Sequence, residues 1–309
     1  MNSVKMVATS SYLPETRISN EFFNEKFNLS EDWIKKRTGI DYRYFAKNET
    51  ITELGIKVSK KIVEENSINK DDIDGIIVTT TSTDRIMPGI SFEIQKALEI
   101  EKCMCLDVLA GCSGFINALD IARKYIALEE LKNVLVIGVE KISNYLNFED
   151  INSSIILGDG AGAVLLTSSN EEKIYYSNTE SFGKGNEILT CHNNEKLYMD
   201  GKNIYKFAVS KTSSNILETL EKANISKEEI KYFILHQSNS RIIDSICEKI
   251  DISKEKVYKN LDKIGNTFCA SIPIVLDEIN KKGLLNEKDK ILLCGYGGGL
   301  NLGSIILEI

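Results

Sequence analysis

The chain has 309 residues, of which 42% are apolar and 27% charged, and carries a formal charge of −7. That length and apolar share can bury one large core or two medium ones, and the negative balance argues against a general nucleic-acid binder. With no long uncharged apolar stretch and no signal-like start, the expectation is a cytoplasmic protein with no membrane partner.

Taken in chain order, the first informative stretch is EDWIKKRTGI (31–40), where Trp33 and Arg37 lie on a short amphipathic segment. DGIIVTTT (74–81) lacks alternation, as expected of a central strand covered on both faces. CMC at 103–105 puts two thiols on one strand face with no second pair nearby, so it is not read as a metal pair. Seven cysteines without regular spacing fit reduced thiols better than a disulfide framework. CMCLDVLA (103–110) then turns through Gly111 into the apolar-periodic helix GFINALDIARKYIALEE, and Cys112 stands at that junction. A thiol at a helix start faces unpaired N–H groups and the positive end of the macrodipole, which both favour thiolate. Taken singly, Cys112 also reads as a buried small residue at a tight elbow.

NVLVIGVE (133–140) is a second strand without alternation, and His192, in LTCHNNEKLYMDGK, reads as surface. YFILHQSN (232–239) carries His236, one of only two histidines, where a strand gives way to a helix. IGNTFCASIPIVLDEI places Asn266 behind a glycine at the mouth of another apolar helix, and GYGGG (295–299) precedes the terminal strand NLGSIILEI. A nucleophile, an imidazole and a carboxamide at three such junctions are the parts acyl transfer through a thioester needs.

An internal duplication supplies the fold. INKDDIDGIIV (68–78) recurs as ISKEEIKYFIL (225–235), an offset of 157, and NVLVIGVE recurs as DKILLCGY from Asp289, an offset of 156. On the second offset Cys112 falls opposite Phe268. Two halves, 1–170 with the cysteine and 171–309 with His and Asn, each alternating strands and helices, imply layered α/β architecture. The site residues follow the carboxyl ends of strands, where open α/β sheets place ligands.

These strings, together with SYLPE (11–15), LGDGAGAVLL (157–166) and MDGKNIYKFAV (199–209), resemble the β-ketoacyl-acyl-carrier-protein synthase III family over nearly the whole chain. The resemblance implies the thiolase-like five-layer αβαβα fold, built from two pseudo-repeated halves whose sheets sandwich the helices led by Cys112 and by Phe268. It implies a homodimer that needs no cofactor and joins an acyl-coenzyme A to malonyl-acyl carrier protein. Cys112, His236 and Asn266 would be catalytic, with the N–H groups of Cys112 and Gly298 as the oxyanion hole. Trp33, Arg37, Met87, Gly201, Asn239 and Phe268 would bind substrate, Met87 by reaching across a dimer interface. Lys206, Arg241 and Lys249 would dock the acidic carrier protein, with Glu248 in place of one expected base.

Two departures keep a specialised acyltransferase of the same fold open, one that passes the acyl group to an oxygen, a nitrogen or a non-malonyl carbon. Ile151 stands where the family has a second clamp arginine, and Phe268 where a small residue is common. A non-catalytic partner of the same fold is disfavoured by the intact Cys, His and Asn. An elongating synthase would carry a second His at Asn266, and in a degradative thiolase a second Cys would precede the Gly cluster, from which Cys294 is displaced. TTTSTDR (79–85) offers no glutamate of the hydroxymethylglutaryl synthase kind.

Overall fold

Ile76 and Val78 pack on one side of their strand and Ile77 on the other, and all three are fully buried. The uninterrupted apolar runs are central strands with a core on each face, as their lack of alternation requires. The computed structural model describes residues 3–30, 32–192 and 195–309. Its first strands are β1 (Ser3–Tyr12), β2 (Thr16–Ser19), β3 (Tyr42–Phe45), β4 (Gly75–Thr79), β5 (Met104–Val108), β6 (Asn133–Glu140) and β7 (Gly160–Ser169). They are followed by β8 (Tyr175–Ser181), β9 (Leu189–Thr190), β10 (Tyr198–Met199), β11 (Ile230–Leu235), β12 (Lys290–Gly297) and β13 (Asn301–Glu308).

One sheet runs β1-β7-β6-β4-β5 and the other β11-β12-β13-β8. In each, a parallel pair (β4 with β6, β11 with β12) continues into antiparallel strands (β7 and β1, β13 and β8). Between the sheets lie the helices Gly114–Ala127 and Ser271–Lys281. Their Phe115, Leu119, Ile272 and Val275 share one core with Val136 of the first sheet and Leu293 of the second. The outer face of the first sheet is covered by the helices Ile51–Glu65 and Ile90–Ala97. Ser213–Ala223 and Ser240–Ile250 cover the outer face of the second. Five layers result, as in the thiolase-like fold.

Each buried helix is entered through one short 3-10 turn, Gly111–Ser113 or Phe268–Ala270. Gly111 has φ 57° and Phe268 φ 49°, so the two elbows share a left-handed first residue. This corrects the repeat register: Gly111 is the counterpart of Phe268, and Cys112 that of Cys269. The 157 offset applies at the elbows because no residue is inserted between the first repeat block and the buried helix.

The middle layer leaves no room for extra atoms. A Cβ on Gly138 of β6 would stand 2.7 Å from the carbonyl oxygen of Cys269. Gly138→Ala is expected to cost about 1–3 kcal/mol of stability, read as a lower urea midpoint. Gly183→Ala, where a methyl meets nothing within 4 Å, is the control expected to leave the midpoint in place.

Candidate active site

The glycine strand is pressed against the Cys112 elbow. A Cβ on Gly297 would lie 2.7 Å from Cβ and 2.9 Å from Sγ of Cys112, and one on Gly295 3.0 Å from the Cα of Ser113. Only backbone without side chains permits that approach. Asn301 pins the turn from the other side: its Nδ2 donates to the Ala110 carbonyl at 2.9 Å, and Ser113 Oγ donates to its Oδ1.

Cys112 is 4% exposed. Burial pushes its thiol up, the nearby Glu140 carboxyl adds to that, and the backbone N–H groups of Cys112 and Gly298 pull it down. The expected donors are therefore at the sulfur, but the expectation of a favoured thiolate fails in the free chain. Desolvation outweighs the helix start because hardly any water reaches the sulfur.

His236 follows β11, its N–H bonded to the Cys294 carbonyl at 2.8 Å. Its ring is buried, with Nδ1 2.7 Å from Ser271 Oγ. Ser271 Oγ also accepts the Gln237 N–H at 3.4 Å; with its own proton donated to Nδ1, Nε2 is the protonated nitrogen and the free donor of the ring. Burial lowers the imidazole pKa to about 3, so the ring is neutral at physiological pH.

Asn266 is held by its backbone, whose N–H donates to the Ile156 carbonyl and whose carbonyl accepts from Gly158, both at 2.9 Å. Its Oδ1 accepts the Phe268 N–H at 2.9 Å. That bond fixes the flip of the amide and leaves Nδ2–H as the free donor.

Cys112, His236 and Asn266 line one cleft of about 650 Å³, joined there by Trp33, Arg37, Gly201, Asn239, Arg241 and Phe268. Gly201 begins the helix Gly201–Phe207, and Asn239 caps the helix Ser240–Ile250 while its Nδ2 donates to the Arg37 carbonyl at 3.3 Å. Arg37 lies 4.6 Å over the Trp33 ring, so one face of that indole is already covered by a cation of this chain. Ile151 lines the same cleft.

Met87, 80% exposed, stands outside its own chain's cleft. Lys206 and Lys249 are exposed on their helices away from the cleft lining, and Glu248 lies 3.5 Å from Lys254. His192 is exposed, as its polar surroundings predict. None of the seven cysteines is disulfide-bonded. A wider hollow of about 730 Å³ over residues 19–42 is lined by Asn, Asp, Glu and Lys35 and holds none of the expected residues.

Sequence reasoning missed the buried groups behind the cleft. Glu140 accepts hydrogen bonds from Thr81 N–H, the hydroxyls of Thr80, Thr81 and Ser82, and Cys269 Sγ. Burial still pushes its carboxyl up. Arg43, fully buried, donates to the Ile155 carbonyl just before the segment that holds Asn266, and burial lowers its pKa to about 9. A charged residue within an apolar strand was the available signal for both.

Two family models match the chain. The one described as 3-oxoacyl-[acyl-carrier-protein] synthase III covers residues 106–183, and its C-terminal counterpart covers 220–309. A β-ketoacyl-[acyl-carrier-protein] synthase III of Clostridium botulinum (strain 657 / Type Ba4) is 39% identical over 99% of both chains. The crystal structure of 3-oxoacyl-[acyl-carrier-protein] synthase III from Aquifex aeolicus VF5 superposes with a TM-score of 0.96 at 39% identity, covering 99% of this chain and 100% of that one. That of the Thermus thermophilus synthase III gives 0.95 at 30% identity, over 98% of each.

The neutral imidazole carries a pH signature. The unfolded chain binds a proton on His236 below about pH 6.5, whereas the folded chain does so only near 3. Stability is therefore lost as pH falls through that window, by up to about 1.4 kcal/mol per pH unit for this one group. His236→Gln is expected to show a shallower loss in urea denaturation between about pH 6 and about pH 4; parallel pH curves would mean that His236 is protonated in the fold.

Proposed function

Because the chain belongs to the β-ketoacyl-[acyl-carrier-protein] synthase III family, we propose that it condenses an acyl-coenzyme A with malonyl-acyl carrier protein through an acyl-Cys112 intermediate. The observation that carries this reading is the convergence of Cys112, His236 and Asn266 on one cleft. In the first half-reaction the Cys112 sulfur attacks the thioester carbonyl as its proton leaves. The oxyanion is received by the N–H groups of Cys112 and Gly298, and coenzyme A departs as its thiol. In the second, malonyl thioester loses carbon dioxide, and the electron pair moves into an enolate whose oxygen accepts from His236 Nε2–H and Asn266 Nδ2–H. The enolate carbon attacks the acyl group, and the Cys112 thiolate leaves and takes up one proton from solvent. Every step is heterolytic and balanced without electron transfer, so the reaction calls for no redox or metal cofactor.

A neutral imidazole suits this role. It donates one hydrogen bond to a developing oxyanion without the desolvation cost of an imidazolium in a buried cleft. A coenzyme A donor would enter over Trp33 and Arg37, with Gly201, Asn239 and Phe268 along the cleft. The carrier protein would dock on Lys206, Arg241 and Lys249, which have no ion pair among the described residues. We read the seam near residue 170 as the junction of the two duplicated halves.

A homodimer is part of the same reading. The outer edge of β5 is unpaired among the described strands, and Leu109, directly after it, is 78% exposed. Asp107 of β5 accepts from Ile90 N–H at 2.8 Å, which brings Ile86 and Met87, 97% and 80% exposed, close to that edge. An apolar patch beside an open strand edge is suited to a second copy, where Met87 would meet the other protomer's cleft. Among the described residues no helix is long and apolar enough to cross a membrane; a cytoplasmic setting fits the substrates proposed.

Intact mass after incubation with acyl-coenzyme A donors is expected to show an acyl adduct that Cys112→Ala abolishes. Loading on Cys112→Ala, or deacylation only by an alcohol or amine, would overturn the condensing reading. His236→Ala and Asn266→Ala are each expected to slow malonyl decarboxylation by about 10²-fold or more while still loading. Ile151→Arg is expected to lower KM for the coenzyme A donor roughly 2- to 5-fold, the worth of an exposed cation–π contact. An unchanged KM would remove position 151 from the donor site.

A further inference from the structure

Tyr296 and Ser238 both line the cleft beside Cys112, His236 and Asn266, and no step above uses either. Tyr296 lies on β12, immediately before the Gly297 that abuts the Cys112 sulfur. Its side chain is buried at 2% exposure, and its hydroxyl lies 2.7 Å from Ser238 Oγ. Ser238 sits two residues after His236, on the same turn, and its N–H donates to the His236 carbonyl at 2.9 Å. The Tyr296 ring stands edge-on to the imidazole, with centroids 5.3 Å apart at 75°.

A buried tyrosine hydroxyl requires a partner, and the one it has belongs to the His236 turn. Resting on the condensation reading, the geometry points to Tyr296 and Ser238 as a pair of positioning residues: their hydroxyl bond ties the strand that abuts Cys112 to the turn that carries His236 and fixes the distance between nucleophile and enolate donor.

Ser271 holds the imidazole at Nδ1, and the backbone bond to Cys294 holds its Cα. Neither stops the ring from tilting about the Nδ1 contact. The Tyr296 ring blocks that tilt on one side, and the Ser238 bond keeps the tyrosine from following it. Acylation of Cys112 uses only the sulfur and two backbone donors, so it does not depend on the tilt. Decarboxylation does, because the Nε2–H must meet an oxygen that becomes an anion only in the transition state, and a misplacement of one ångström there is costly.

Tyr296→Phe keeps the ring and removes the bond; Ser238→Ala removes it from the other side. Each is expected to lower malonyl decarboxylation by about 10- to 100-fold and to leave acyl loading of Cys112 near the unchanged rate; Tyr296→Phe is expected to keep the thermal midpoint close to that of the parent, whereas Ser238→Ala, which strands the buried Tyr296 hydroxyl, is expected to lower it. The double variant is expected to be no slower than the slower single, since one bond is lost in all three.

A second readout is independent of turnover. The chain has two histidines and His192 is exposed, so 15N-histidine labelling gives one buried imidazole to follow. Its two nitrogen shifts are expected to be well separated in the parent and to move in Tyr296→Phe as the ring tilts against Ser271 and the neighbouring aromatic ring. Unchanged shifts with an unchanged decarboxylation rate would overturn the inference. So would equal losses in loading and decarboxylation, or additive losses in the double variant. If the parent itself fails to decarboxylate malonyl carrier protein while the shifts still move in Tyr296→Phe, the condensation reading falls and the tether stands.

Discussion

The contact on which the site depends is the one between the glycine strand and the Cys112 elbow. Gly295 and Gly297 lie within 3 Å or so of where any side chain would collide with Cys112 and Ser113. That approach brings the end of β12, from the second half of the chain, onto the nucleophile of the first. It also places the Gly298 N–H at the sulfur and the Tyr296 ring at the imidazole. Loss of that spacing would part the backbone N–H groups of Cys112 and Gly298, which the proposed reaction uses together.

Burial is the second constraint, and it sets the charge state of the cleft. Cys112, His236 and Glu140 are all nearly or fully out of water. Desolvation pushes each toward its neutral form, up for the thiol and the carboxyl and down for the imidazole. A cleft of neutral donors in a low dielectric strengthens each hydrogen bond to a charge that appears only during reaction. Glu140, ringed by hydroxyls and the Cys269 thiol, holds the turn after β4 in place.

The entrance differs from the interior. Inside, His236, Asn266 and Tyr296 are each held by a side-chain hydrogen bond; at the mouth, Arg37 stacks on Trp33 and Ile151 supplies no second cation. An arriving planar group therefore finds one indole face already occupied and no charge opposite.

The layered fold was legible in the sequence, and so was the choice of Cys112, His236 and Asn266, which the fold brings to one cleft. Those follow from local rules: unalternating strands mean two covered faces, and Cys112 and His236 follow the carboxyl ends of strands, where open sheets place ligands; Asn266 follows the short helix Leu261–Ile264 instead of the expected strand. The tertiary structure decided the repeat register that pairs Cys112 with Cys269, because only the elbows' shared left-handed start reveals it. It also decided the protonated resting thiol, the neutral His236, the Arg37 stack and the bond from Tyr296 to Ser238. Each of these depends on which distant atoms exclude water or come within hydrogen-bond range, and such proximity leaves no periodic trace in a chain.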